Sequence, residues 1–485
     1  MFAPALRRWY PLALLALLAL GLRTHELERR SLHADEANQA VKTGELIEHG
    51  FYAFDPRDHH GPTLYYATLP LAWLRGETTL ATLSETTIRL VPALAGTCGV
   101  LLLFFIARPI GFGPAFLAAA LMAVAPASVY YSRYYIQETL LVTFTLAGIL
   151  TAQRWWQTGR PTWALATGAA LGLMQATKES APVFILCALA TALLVARHRP
   201  ATPHLGRDLA LIFSATLGVA ALFYSSFGTH PAGLYDAVKT YTFSSARATG
   251  TSGHEKLWWY YPSLFGWGKS GGLVFQQLAF SALALAGAIL AFLTRSLLLR
   301  AAAFYTLLVL VALSFPPYKT PWHAVHLVPG LAVLAAGTIT LIAWRPLALT
   351  ATASLLLLQL NQTHLVAFLR AEDPRNPYAY VHTSPDIRKI RALAAAALSA
   401  QPNGTIRIIS EEYWPIPWYL RALPTGSVGY WSTPPTDCDG ALILTSTDLA
   451  PTVRARLHGD YRESFLGLRP GFLCVVFTPA PPTTP

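Results

Sequence analysis

The stretch SLHADEANQA, residues 31–40, sets two carboxylates, Asp35 and Glu36, side by side and within one helical turn of His33. A carboxylate held near a hydroxyl can take its proton and turn it into a nucleophile. Further ionisable clusters recur at DPRDHHGP (55–62), YYSRYYIQE (130–138), TKES (177–180) and FPPYKTPWH (315–323). Two of them supply cations, Arg133 and Lys319. Arginine offers a planar fork and lysine a compact charge, and both suit a phosphate or pyrophosphate. A base that activates an acceptor, with cations that stabilise charge on a departing phosphate, describes group transfer from a phosphate leaving group. No Ser-His-Asp order, P-loop or dinucleotide-binding glycine motif accompanies them, which removes the common soluble alternatives.

Each residue taken singly has a plainer role. EANQAVKTGELIEHG after Asp35 is helix-like, so Asp35 could be an N-cap with Glu36 complementing the helix dipole. Glu138 opens an apolar run and could do the same, while Arg133 could snorkel to lipid phosphate. Lys178 and Glu179 could pair within their own turn. His59 and His60 project to opposite sides of an extended chain and seldom chelate together. They assign no metal, and a divalent ion is left open.

The elements that must position these residues follow from composition. The 485 residues are 53% hydrophobic and 13% charged, against roughly 25% charged in a soluble domain, so the chain is read as a membrane protein. Apolar runs near 9–22, 62–74, 88–107, 114–130, 138–153, 162–177, 180–196, 208–227, 272–293, 300–315, 323–343 and 346–360 predict about eleven crossings if 62–74 only lies in the interface. The first run lacks a small-residue cleavage site and is expected to stay as a helix. With that count Arg7, Arg8, Arg108, Arg154, Arg160, Arg197, Arg199, Arg207, Arg295, Arg300 and Arg345 all fall on the side of the N-terminus, which is therefore the cytoplasm of a plasma (inner) membrane protein. The net charge of +11 is thus topological and predicts no nucleic-acid partner.

The same count puts the ionisable clusters on the outer face, where charges cost at least a few kcal/mol each unless paired or solvated in a cavity. Residues 228–271 add Tyr241, His254, Trp258, Trp259, Tyr260, Tyr261 and Trp267, suited to stacking on sugar rings or to the interfacial belt. From Asn361 onward β-like runs at 406–410, 440–446 and 472–477 predict a small extracytoplasmic α/β domain over 361–485. Cys438 and Cys474 share that tail and could pair in an oxidising compartment, whereas Cys98 and Cys187 lie in apolar runs.

HADE (33–36), HHGPTLYY (59–66), SRYYIQE (132–138), TKES, PYKTPW (317–322) and YVHTSPD (380–386) together resemble the polytopic GT-C glycosyltransferases related to dolichyl-phosphate-mannose-protein mannosyltransferases, in particular an Agl23-like, flippase-activity-associated prokaryotic branch. The resemblance covers about residues 1–390. It implies a GT-C transmembrane domain over 1–360, with catalytic outer loops 23–61, 131–138, 228–271 and 315–323. The implied activity is inverting transfer of a sugar from a polyprenyl-phosphate donor to a lipid, glycan or protein hydroxyl. Asp35 falls on the expected catalytic base, with Glu36 beside it, and Arg133 and Lys319 fall on the donor-phosphate cations. His33, His59, His60, Glu138, Lys178, Glu179, Tyr318 and His323 are expected around the substrate. Gln137-Glu138 stands where many relatives carry an Asp, so no metal-ligand role is carried over. The competing expectation is a non-catalytic flippase- or transport-associated protein handling lipid-linked glycans. The charges at helix ends on one face, without an internal repeat, favour the enzyme.

Overall fold

In lipid a chain must satisfy its own backbone hydrogen bonds, so the apolar runs become helices. The computed structural model describes residues 3–57, 60–196, 201–249, 253–294 and 296–480; His59, Arg197, Arg199 and Arg295 lie outside the described residues, as do the side chains of Arg7 and Arg8. Helices α1 (Ala3–Thr24), α2 (Ala34–His49), α3 (Thr63–Leu74), α4 (Glu85–Ala107), α5 (Phe112–Val124) and α6 (Pro126–Tyr131) make up the first part. They are followed by α7 (Glu138–Thr158), α8 (Pro161–Gln175), α9 (Ala181–Val195), α10 (Leu205–Tyr224), α11 (Gly233–Thr249) and α12 (Tyr260–Leu264). A hairpin of β1 (Trp267–Ser270) and β2 (Leu273–Gln276) precedes α13 (Leu278–Leu293), α14 (Leu297–Ser314), α15 (Val328–Thr340) and α16 (Arg345–His364).

Among the described residues, four segments are long and apolar enough to cross a membrane: Glu85–Ile110, Leu205–Tyr224, Leu297–Ser314 and Pro321–Thr340. Shorter apolar helices are Trp9–Thr24, Phe112–Val124, Ala181–Val195 and Leu278–Leu293. Three expected spans differ in detail. The run 114–130 breaks at Ala125, which is extended (φ −67°, ψ 131°) before Pro126, as the ring of a following proline requires. The run 272–293 begins its helix only at Leu278, because Gly271 and Gly272 adopt positive φ and turn β1 into β2. The run 323–343 opens with a 3-10 turn over Pro321–His326. Small residues let neighbouring helices touch: a Cβ on Gly168 or Gly172 of α8 would stand 2.3 or 2.7 Å from carbonyl oxygens of α10.

Beyond α16 lie α17 (Lys389–Ala400), β3 (Ile406–Ile409), α18 (Ile416–Leu420), β4 (Val428–Trp431), β5 (Leu442–Ser446), α19 (Ala450–Ala455), β6 (Tyr461–Arg469) and β7 (Phe472–Pro479). The strands form one sheet in the order β4-β3-β5-β7-β6, parallel from β4 to β5 and antiparallel through β7 and β6. Cys438 and Cys474 are unpaired thiols, which corrects the expected bridge. Alternation along β7 explains it: Cys474 faces the core shared with α17 and α18, whereas Cys438 packs with Val475 and Phe477 on the opposite face of the sheet.

This domain closes over the first outer loop. Ile387, Ile390 and Trp418 share one core with Leu32, Ala37, Leu64 and Ile88. Trp418 Nε1 donates to Glu85 Oε1 (3.0 Å), Leu32 N to the Tyr419 hydroxyl (3.0 Å) and Arg421 Nη2 to the Leu83 carbonyl (2.7 Å). The tail therefore holds the segment that carries Asp35.

Candidate active site

His33 is the N-cap of α2, with extended backbone (φ −67°, ψ 157°) and Nδ1 accepting from the Asp35 amide at 3.1 Å. Glu36 accepts from the His33 amide at 3.1 Å, completing a capping box with histidine in the usual Ser/Thr place. Asp35 is thus in the first turn and is not the cap. Its side chain is 48% exposed, with Oδ2 3.7 Å from His33 Nδ1. Burial depresses the His33 pKa, which favours the neutral ring that an accepting Nδ1 requires.

Glu36 is fully buried. Arg89 grips it through two 2.8 Å bonds, Nε to Oε1 and Nη2 to Oε2, while Arg30 Nη2 lies 3.0 and 3.1 Å from the two oxygens and the Tyr135 amide adds a bond at 2.9 Å. Burial alone would raise its pKa, but Arg30 and Arg89 hold it well below the carboxylate range. With both oxygens committed, Glu36 positions the loop; its expected place in a catalytic pair is corrected on this ground. Arg30 and Arg89 were not singled out in the sequence. The available signal was a lone arginine inside the apolar run 88–107, which needs a carboxylate partner.

From Asp35 an aromatic wall runs to Lys319. The His33 ring stacks on His382 (5.9 Å, 18°) and lies 5.6 Å from Tyr134 and 6.2 Å from Trp322. Trp322 meets Tyr380 at 6.2 Å, and His254 lies beside both Tyr380, through a 2.7 Å bond to its hydroxyl, and Tyr318, ring to ring at 5.2 Å. The Lys319 amide donates to the His254 carbonyl at 3.1 Å. Its Nζ donates to the carbonyls of Lys256 (3.0 Å) and Pro316, which leaves the third ammonium proton for a ligand. Burial lowers the Lys319 pKa, and Lys256 Nζ stands 5.6 Å over the Tyr380 ring. The segments HADE, PYKTPW and YVHTSPD, far apart in the chain, thus share one surface.

A second cluster gathers around His323, the residue after Trp322. Lys178 pairs with Glu138, His323 Nε2 lies 3.7 Å from Glu138 Oε1, and the hydroxyls of Tyr261 and Thr320 stand 3.2 and 3.3 Å from His323 Nδ1. His60 Nδ1 lies 2.9 Å from Glu179 Oε2. Lys178 therefore reaches the first residue of α7 and Glu179 the loop before α3, and they are not a self-paired turn. Burial works against the charge on Glu179, but His60 and Lys178 hold its pKa down at about 2.

Arg133 does not join the wall. It is 7% exposed, and its Nη atoms donate to the carbonyls of Leu22 (3.3 Å), Arg23 (3.4 Å), His25 and Glu26 (3.3 Å) while Phe368 covers the guanidinium at 4.5 Å. It closes the C-terminal end of α1, where the helix dipole favours a cation. Among the described residues one group of carboxylate and imidazole atoms is close enough to share a cation, Asp437, Asp439 and His458, on loops of the sheet domain. Arg407 already bonds Asp437 at 3.1 Å, so this group is not assigned a metal.

The comparisons agree with this architecture. Residues 68–224 match the family model described as dolichyl-phosphate-mannose-protein mannosyltransferase. No curated protein matches the sequence. Among solved structures, the chain is similar to ArnT from Cupriavidus metallidurans bound to undecaprenyl phosphate, with 16% identity, a TM-score of 0.66, and 96% of this chain and 97% of that chain covered. It is also similar to the oligosaccharyltransferase AglB from Archaeoglobus fulgidus in complex with an inhibitory peptide and a dolichol-phosphate (13%, TM-score 0.57, 100% and 75% covered). The mycobacterial arabinofuranosyltransferase AftD matches at 17% identity and a TM-score of 0.52, over 98% of this chain and 40% of that chain. The resemblance to GT-C glycosyltransferases read from the sequence is borne out by the family model and by the fold, that of an α-helical membrane protein with a C-terminal sheet domain.

Proposed function

We propose that the chain transfers a hexose from a polyprenyl-phosphate donor to an acceptor hydroxyl of a lipid, glycan or protein on the extracytoplasmic face, with inversion. In this account residues 1–360 cross the membrane about eleven times from a cytoplasmic N-terminus. Residues 361–485 lie outside. The observation that carries the reading is the aromatic wall between a half-exposed carboxylate, Asp35, and a buried ammonium, Lys319.

The acceptor O–H gives its proton to the Asp35 carboxylate as its oxygen bonds the anomeric carbon from the face opposite the phosphate. The C–O bond to phosphate breaks, its electron pair stays on the phosphate oxygen, and Lys319 stabilises that charge. His33, held by its cap bond and by Tyr134, Trp322 and His382, fixes Asp35 against the wall. Trp322 and Tyr380 offer faces for a sugar ring. Glu138, Lys178, Glu179, His60 and His323 line the back of the substrate pocket, with Tyr318 at its Lys319 end.

The test reconstitutes the full chain in liposomes with labelled polyprenyl-phosphate hexoses and follows the label into acceptor. The wild type is expected to transfer it, and Asp35→Asn to insert and fold but lose transfer by on the order of 10²–10⁴-fold. Full activity in that variant, or movement of lipid across the bilayer without transfer in the wild type, defeats the proposal.

A further inference from the structure

Arg133 opens on a cavity of about 510 Å³ at the outer end of α1 and α16, apart from the wall. Its lining includes the further arginines Arg29, Arg30, Arg370 and Arg375 and the acids Glu26, Glu372 and Asp373. The acids are already engaged. Glu26 holds Arg29 (2.8 Å), Asp373 holds Arg375 (2.6 Å) and Arg370 (3.7 Å), and Glu372 holds Arg388 (2.8 Å). Arg30 finds its carboxylate outside the cavity, in Glu36. Arg133 is left: among the described residues no carboxylate lies within ion-pair distance of it, and backbone carbonyls are its hydrogen-bond partners. Glu26 acts on it only from beyond that distance; a buried guanidinium facing a cavity without a contacting counter-ion is costly, and an anion in that space would remove the cost. A phosphate ester matches the fork geometry of arginine.

The rim says what else the anion carries. A π-helical turn, Leu365–Leu369, ends α16 there, with Phe368 against Arg133 and Leu369 57% exposed. Below it α16 presents Leu349, Leu357 and Leu358 outward. Asn361 and His364 are exposed on the turn next to the rim, and the outward leucines begin one turn further down the same helix. We propose that this cavity binds the phosphate of an anionic membrane lipid, whose chain lies along α16. Arg133 meets the phosphate from below and Arg370 and Arg375 from the rim. The site is separate from the donor phosphate and does not rest on the transfer reaction.

The full chain is placed in nanodiscs of mixed phosphatidylglycerol and phosphatidylcholine, and the lipids that stay bound on release are counted by native mass spectrometry. Phosphatidylglycerol is expected above its share in the disc. Arg370→Gln/Arg375→Gln should lower that enrichment about tenfold, with the unfolding temperature in phosphatidylcholine-only discs unchanged. Arg370→Lys/Arg375→Lys, which keeps the charge, should retain most of it. Retention at the disc ratio, enrichment that survives the Gln pair or is lost equally in the Lys pair, or replacement of the lipid by millimolar inorganic phosphate overturns the assignment.

Discussion

Asp35 and Glu36 are equivalent in the sequence and opposite in the fold. Glu36→Ala is expected to leave Arg30 and Arg89 buried without their carboxylate and to cost about 3–5 kcal/mol, seen as loss of folded protein in detergent. A thermal midpoint within a degree or two of wild type would show that the ion cluster does not hold the loop. His33 gives a pH signature. Its folded pKa lies below the usual 6.5, so the stability it contributes is present above pH 6.5 and is lost as the pH falls below that value. His33→Asn keeps a capping side chain without the titration, and its stability should fall less between pH 6.5 and 5. An unchanged slope on denaturant titration would contradict this. The sequence made Asp35 legible as a chemical group because a carboxylate beside a histidine stands out in so apolar a chain. It hid the split between the two acids, because the partners that fix Glu36, Arg89 of α4 and the amide of Tyr135 between α6 and α7, are distant in the chain.

At the scale of elements, the apolar runs announced most helices, since lipid leaves the backbone few alternatives. Several short or polar elements escaped, and three show why. The helix α11 lies in a polar loop with little apolar signal, β4 is four residues long, and β6 is an edge strand whose exposed YRES start breaks any apolar run. Close packing between helices was equally hidden, because glycines in an apolar run look alike until a neighbour is known. Gly168→Ala/Gly172→Ala should push α8 from α10 and lower the thermal midpoint, whereas Gly218→Ala on α10, with open space around it, should not. Equal effects from the two would refute the close contact.

For the molecule as a whole, composition was enough to read a membrane body, and the β-like runs an appended domain. What stayed invisible was that the appended domain grips the loop carrying Asp35, since Trp418 and Leu32 are joined only by tertiary packing. Trp418→Ala is therefore expected to cost about 3–5 kcal/mol and to impair transfer although the residue is outside the wall. Normal stability and transfer would mean the tail is a passenger. The most direct measurement is a structure of the Asp35→Asn protein with a polyprenyl-phosphate hexose bound. The account predicts the phosphate against Lys319 and the sugar ring over Trp322 and Tyr380, with residue 35 facing the anomeric carbon from the other side. A donor phosphate seated instead against Arg133, or a sugar out of reach of residue 35, would contradict it.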